Sequence, residues 1–251
     1  MKIHPLYKKC YSPYTEWAIP EDYFLKLPDT YSFDLQKMRD HVNNVISEVG
    51  LNTLQLNDGT SIYSKGYKGM GFTHRKDAPD PHHDAFKVFN EKGELESSAT
   101  CRRRMSYTMK AKDIHKFEKN FTEKTQYYSG VLDESLKNFK SSITKVRITE
   151  LAPGESVHPH FDYPYYENIR VHAVLETNDD VEWWVEDQKF NIPSDGNFYW
   201  FDTGRFHHII NNGKTPRRVL SVHLSVYKDM DNNVRFNSSK SIIELIKQGE
   251  V

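Results

Sequence analysis

The chain has 251 residues, with 34 Lys+Arg against 35 Asp+Glu and a formal net charge of −1 at pH 7. Such near-neutrality excludes a general electrostatic pull toward nucleic acid or a membrane surface, and no stretch approaches the length of a membrane span. Cys10 and Cys101 are too few for a disulfide framework and fit a reducing, cytoplasmic setting.

The opening stretch "MKIHPLYKKC" has no apolar run behind its charges and does not read as a signal peptide. The length suits one large domain or two small ones and suffices to bury a core without disulfides. In "FDLQKMRDHVNNVISEVG", Leu35, Met38, Val42, Val45, Ile46 and Val49 fall on one helical face, and Gly50 is a natural stop. Residues 51–110 mix short strand-like runs with turn residues such as "LNDGTS" and "KDAPDPHHD". "KDIHKFEKNF" and "VLDESLKNFK" predict short helices.

From Ser142 the period changes. "ITKVRITEL", "RVHAVLETN", "VEWWVEDQKFNI", "GNFYWFDTG", "FHHIINN" and "RRVLSVHLSVYKD" alternate or are rich in β-branched and aromatic residues. Turn signals separate them: "APGES", "ETNDD", "PSDG" and "NNGKTP". The expectation is a series of short antiparallel strands, as in a barrel or double-sheet jelly roll. "SSKSIIELIKQGEV" then predicts a closing helix behind a serine cap. No linker separates the parts. The reading is one unit: a helical and irregular N-terminal part about 1–140, a β-core about 141–230 and a C-terminal helix about 238–250.

"SVHPHFDYPYY" carries the first chemistry. In a strand, residues two apart face the same way, so His160 and Asp162 can both point inward. An imidazole and a carboxylate are two legs of a facial metal triad; a third ligand, usually His, leaves positions open for substrate and oxygen. His207 and His208 in "WFDTGRFHHIINN" are candidates, and in a strand only one of them faces in. With 12 histidines in the chain, an isolated H-x-D is also compatible with a surface or packed histidine. Arg170 and Arg217 lie on strands of the same β-core. Inward arginines are costly without an anion, and their fork suits a carboxylate. The combination suggests a dicarboxylate beside iron.

Here the chain resembles the aspartyl/asparaginyl β-hydroxylase-like branch of the 2-oxoglutarate- and Fe(II)-dependent oxygenases, which includes proline hydroxylase-like enzymes. The resemblance covers about residues 143–228. It rests on Leu151, Pro153, Gly154, Val157, His160 and Asp162; on Arg170, His172, Leu175 and Thr177; and on Phe201, Asp202, His207, Asn211 and Arg217. It implies a mostly β fold with flanking helices around a double-stranded β-helix, a cupin-like jelly roll. It implies Fe(II) held by His160, Asp162 and His207, and 2-oxoglutarate held by Arg217 at its distal carboxylate. Arg170 and His172 would sit near the 1-carboxylate, and Thr149 near the cosubstrate. His208 and Arg218 double two key positions; the Asn211-to-Arg217 spacing favours His207 with Arg217.

The implied activity uses O2 to hydroxylate an unactivated C–H of an amino acid or amino-acid-like small molecule, releasing succinate and CO2. A peptide or protein Asp, Asn or Pro side chain is the alternative substrate, and a non-catalytic cupin-type binding protein is the rival of another class. Tyr163, Tyr165 and Tyr166 border the metal residues as a wall or lid. His172 could equally be a core histidine bonded to backbone, and Arg170 and Arg218 could form surface ion pairs. Trp183 and Trp184 point to opposite faces, so at most one lines a pocket. His82, His83 and Asp84 in "DPHHDAF" predict a solvated loop. Arg102, Arg103 and Arg104 predict a strand with alternate arginines exposed.

Overall fold

The computed structural model describes residues 24–53, 64–76, 78–85, 87–89, 95–97, 120–160, 162, 169–203, 205–225 and 247. The expected C-terminal helix (Lys247 apart), the Arg102–Arg104 run, Tyr163, Tyr165, Tyr166 and both cysteines lie outside the described residues. So does the expected helix in "KDIHKFEKNF", save its last two residues.

The N-terminal part contributes strands β1 (Phe24–Lys26), β2 (Asn52–Thr53), β3 (Tyr67–Gly71), β4 (Thr73–His74), β5 (Lys87–Phe89), β6 (Leu95–Ser97) and β7 (Glu123–Lys124). The periodic stretch contributes β8 (Ser142–Leu151), β9 (Ser156–His160), β10 (Ile169–Glu176), β11 (Val181–Val185), β12 (Gln188–Phe190), β13 (Tyr199–Phe201), β14 (His207–Asn211) and β15 (Arg217–Ser225). "VEWWVEDQKFNI" is a hairpin rather than one strand: β11 pairs with β12 across a turn in which Glu186 takes φ 54°.

A seven-stranded antiparallel sheet has the order β1-β13-β10-β15-β8-β3-β2, and a four-stranded sheet has the order β12-β11-β14-β9. Two further pairs, β4 with β7 and β5 with β6, stand apart. The two main sheets form the double layer of a jelly roll, with helices flanking the larger one. β1, β2 and β3 extend the large sheet, so N-terminal residues complete the β-core.

Strand alternation gives the large sheet two distinct faces. Its back face carries Val146 and Ile148 of β8, Val171, Ala173 and Leu175 of β10, and Leu220, Val222 and Leu224 of β15, all buried. Helix Leu35–Val49 covers this face with Met38, Val42 and Val45, and helix Gly130–Leu136 adds Leu132 and Leu136. Each such apolar side chain, fully buried, contributes about 1.5–3 kcal/mol. The longer helix starts where the Asp34 side chain accepts from the Lys37 amide and stops at Gly50, whose φ is 77°.

The inner face meets the small sheet through Leu151, Val174 and Val219 against Val157, Trp183, Val185 and Ile209. Polar residues of the same strand parity share this inner face: Arg147 and Thr149, Arg170 and His172, and Arg217 and Ser221 on either side of Val219. Polar groups between two sheets are costly unless something compensates them, so they mark the functional site.

"KDAPDPHHD" departs from expectation. It forms turns, but Asp84 is buried at 2% exposure, paired to Arg75 at 2.7 Å. His82 packs on Tyr127 with ring centroids 5.0 Å apart. The segment is folded in because Arg75 gives the Asp84 carboxylate a buried partner, which composition alone did not reveal.

Candidate active site

Strand pairing builds the site. His207 on β14 lies directly opposite His160 on β9, but the next pair inward is Ile209 with Val157. One residue of β14, His208, thus faces two of β9, His158 and Pro159, so β9 carries a one-residue bulge. Without it, inward Val157 would leave His160 on the outer side. Pro159 falls inside the irregularity, where it has no ladder hydrogen bond to lose. The bulge is what turns both His160 and Val157 into the sandwich.

His160 Nδ1 donates to the His158 carbonyl at 2.7 Å, and His207 Nδ1 donates to the Arg205 carbonyl at 2.8 Å. A carbonyl only accepts, so in each ring the proton sits on Nδ1 and Nε2 is left as a lone-pair donor. The rings lie 4.4 Å apart at 50°. Asp162 anchors its backbone N–H on the Thr203 carbonyl at 2.8 Å, and its Oδ1 lies 3.9 Å from His160 Nε2. One ligand atom from each of His160, Asp162 and His207 falls within 4.8 Å of the others, a group that could hold a metal ion. Two imidazoles and one carboxylate on one side suit iron with open positions.

The protonation states agree with that use. Burial pushes His207 down to about 3, helped by His160, so it is neutral at pH 7. Burial raises the Asp162 carboxyl, but the Arg170 guanidinium, with His160, His207 and Arg147, outweighs it and holds the group well below the usual carboxylate range. Asp162 is therefore ionised.

His208 points away: its ring stacks on Trp184 at 5.8 Å and 6° on the outer face of the small sheet. Trp184 thus lies outside, while Trp183 is buried and lines the pocket. Arg218 also points away, to Glu150 at 2.7 Å, Glu176 at 2.9 Å and Asn43 at 2.6 Å.

Arg217 faces in at 1% exposure, with its guanidinium 3.9 Å from the centre of the Trp183 ring. Its Nε has no hydrogen-bond partner, and among the described residues no carboxylate pairs with it. Burial lowers Arg217 to about 9, which still leaves it charged at pH 7. Asn211 is buried and holds the turn leading to Arg217. Its Nδ2 donates to the Leu151 and Thr215 carbonyls, and its Oδ1 accepts from the Gly213 amide.

The other expected residues share the same pocket wall. Thr149 is 4% exposed on β8, and His172 is 7% exposed on β10. His172 stacks on Phe201 at 4.7 Å, and its Nε2 has no hydrogen-bond partner. Burial, then Arg170 and Arg217, hold His172 well below its ordinary value. It is neutral. Arg170 reaches Asp162 Oδ2 through Nη1 and His223 Nε2 through Nε at 2.9 Å. Its place is thus on the triad's carboxylate.

Sequence reasoning missed Arg147, Ser221, His223 and Tyr67. Ser221 and His223 share the parity of Arg217 on β15, and Arg147 that of Thr149 on β8, so the period of two could have found them. Tyr67 enters only because β3 pairs with β8, which places it opposite Leu151.

The residues present fit Fe(II) and 2-oxoglutarate. A two-nitrogen, one-carboxylate set shares its pocket with Thr149, His172, Arg217 and Ser221. Arg217 Nε, His172 Nε2 and Ser221 Oγ are buried there without hydrogen-bond partners, and buried polar groups need them.

A family model described as Aspartyl/Asparaginyl beta-hydroxylase matches residues 76–225, more than half of the 251. The chain belongs to the aspartyl/asparaginyl β-hydroxylase family. As a member of that family it is a 2-oxoglutarate- and Fe(II)-dependent dioxygenase of the hydroxylase type. The match spans β5 to β15, every residue of the metal triad included.

No curated protein matches the sequence. Among solved structures, an oxidoreductase of the 2OG-Fe(II) oxygenase family from Burkholderia pseudomallei is 11% identical, covering 90% of this chain and 94% of its own, with TM-score 0.43. A viral collagen prolyl hydroxylase from Paramecium Bursaria Chlorella virus-1, in its 2OG complex, is 11% identical, covering 82% of this chain and 98% of its own, with TM-score 0.41. An oxalate decarboxylase-like protein from Thermotoga maritima is 20% identical over 38% of this chain and 74% of its own, with TM-score 0.28. The β-hydroxylase assignment rests on the family match.

Proposed function

We propose that this β-hydroxylase family member hydroxylates an unactivated C–H of an amino acid or amino-acid-like small molecule, consuming O2 and 2-oxoglutarate and releasing succinate and CO2. The observation that carries the reading is Arg217, a fully buried cation without a carboxylate partner in the pocket of the metal triad. A cupin-type protein that only bound a metal would have no use for it.

In this reading His160, Asp162 and His207 hold Fe(II), and Arg217 takes the distal carboxylate of 2-oxoglutarate. Thr149, His172 and Ser221 offer polar atoms along the cosubstrate's length. Iron and 2-oxoglutarate together supply the oxygen-activating chemistry, and the protein supplies orientation and a shielded pocket. Trp183, Phe201, Val157 and Ile209 exclude water from one side. His172 stays neutral and can donate or accept without adding charge.

Charge supports an anionic substrate. Among the described residues, three arginines line the pocket against one carboxylate, Asp162. A free amino acid brings a carboxylate to that wall. An Asp, Asn or Pro side chain of a peptide or protein fits the family as well. The deciding experiment incubates the Fe(II)-loaded protein with 2-oxoglutarate and a panel of free amino acids and Asp-, Asn- and Pro-containing peptides. Mass spectrometry then reads the gain of one oxygen atom alongside succinate. Oxygen gain in peptides alone overturns the small-molecule reading.

A further inference from the structure

We propose that His223 is a positioning residue for the metal site: it holds Arg170 so that Arg170 takes only one oxygen of Asp162 and leaves the other to the histidines. The inference rests on the reading that His160, Asp162 and His207 hold the metal.

His223 stands on β15 directly opposite Arg170 on β10 and is fully buried. Its Nε2 lies 2.9 Å from Arg170 Nε. An arginine in a protein does not give up its proton, so the guanidinium donates and His223 Nε2 accepts. That fixes the tautomer, with the His223 proton on Nδ1. At the other end of the fork, Arg170 Nη1 donates to Asp162 Oδ2. The planar guanidinium is thus pinned at two points, Nε and Nη1, and cannot swing.

The pinning matters because arginine prefers a bidentate grip on a carboxylate. A guanidinium free of His223 can rotate to take both Asp162 oxygens. With Nε committed to His223, Oδ1 remains turned toward His160, 3.9 Å from its Nε2. The carboxylate then offers one oxygen to a metal, and the other is kept by Arg170. Partners outside the ligand set commonly tune metal affinity by roughly 10–100-fold.

The test compares two amide substitutions. In His223→Gln the side-chain oxygen reaches the place of Nε2 and can accept from Arg170. In His223→Asn it reaches only the place of Nδ1. Both keep the guanidinium's charge, and thermal unfolding checks that each is folded. Calorimetric titration with Mn(II), without substrate, reads the site itself. The expected result is near-wild-type affinity for His223→Gln and a loss of about tenfold or more for His223→Asn. In an Asp162→Ala background, His223→Asn should cause no further loss.

Equal Mn(II) affinity in His223→Asn and wild type overturns the proposal, as does an equal loss from His223→Asn with and without Asp162. If only His223→Gln folds, its affinity must still match wild type, and a tenfold loss there overturns the proposal. Absence of Mn(II) binding by the wild-type protein overturns the functional reading itself, which separates the two failures.

Discussion

His160 and His207 face each other across β9 and β14 with ring centroids 4.4 Å apart, and they do so because β9 carries one residue more than its partner between Val157 and His160. The bulge brings a histidine to the inner face at a spacing of three from Val157, where a regular strand would need two or four.

The first prediction follows from that pair. His160→Ala and His207→Ala should each abolish turnover and weaken Mn(II) binding while the fold survives. His208→Ala should keep both, because its ring stacks on Trp184 outside the sandwich. Succinate release and Mn(II) titration on the three variants check this; an inactive His208→Ala beside an active His207→Ala shifts the ligand by one.

Arg217 and Arg218 should separate by function. Arg217→Ala leaves a bound dicarboxylate buried without its cation, a loss of about 3–5 kcal/mol, or roughly a hundredfold or more in 2-oxoglutarate affinity. Arg218→Ala should leave that affinity unchanged and lower the unfolding midpoint instead, since it strands Glu150 and Glu176. Calorimetry with 2-oxoglutarate on the Mn(II)-loaded proteins, with a melting curve for each, reads both; a reversed order reassigns the cosubstrate clamp.

Asp162→Ala should keep weakened metal binding, since two imidazoles and a chelating cosubstrate still hold the ion. It should lose most hydroxylation, because the carboxylate that orients the site is gone and Arg170 has lost its anion. Succinate and hydroxylated product are measured together. Wild-type levels of both would remove Asp162 from the ligand set.

Much of this was legible in the sequence. Apolar alternation from Ser142 onward marks the strands, while His160, Asp162, His207 and Arg217 stand out as a set through the motifs that resemble the hydroxylase family; the period of two alone would face His160 opposite to Val157. For the doubled His208 and Arg218, parity says only that one residue of each pair faces in; the Asn211-to-Arg217 spacing favours His207 with Arg217, and the structure turns His208 to Trp184 and Arg218 to Glu150. What could not be read was long-range pairing. The β9 bulge depends on the register of β14. Tyr67 enters through β3, and the Arg75–Asp84 pair joins a turn to a strand end. His223 was hidden for the same reason: its meaning comes from lying opposite Arg170.

The neutral, buried His172 sets a pH dependence. Its value is depressed in the folded state, so between the ordinary 6.5 and its lowered value the unfolded chain binds more protons. Stability therefore rises with pH across that window and is lost as pH falls below about 6.5. Denaturant midpoints of the metal-free protein at pH 7.5 and about 5.5 should fall with acidity, and His172→Phe should flatten the slope. An unchanged slope in the variant assigns the dependence to other groups.

The central claim is that the His160–Asp162–His207 group makes this chain an Fe(II)- and 2-oxoglutarate-dependent hydroxylase. Its most direct test is succinate release from 2-oxoglutarate across the substrate panel, wild type beside His207→Ala. The account predicts succinate from the wild-type protein only when Fe(II) and O2 are both supplied, and none from His207→Ala. Equal succinate from the two proteins, or none from the wild type with any member of the panel, contradicts it.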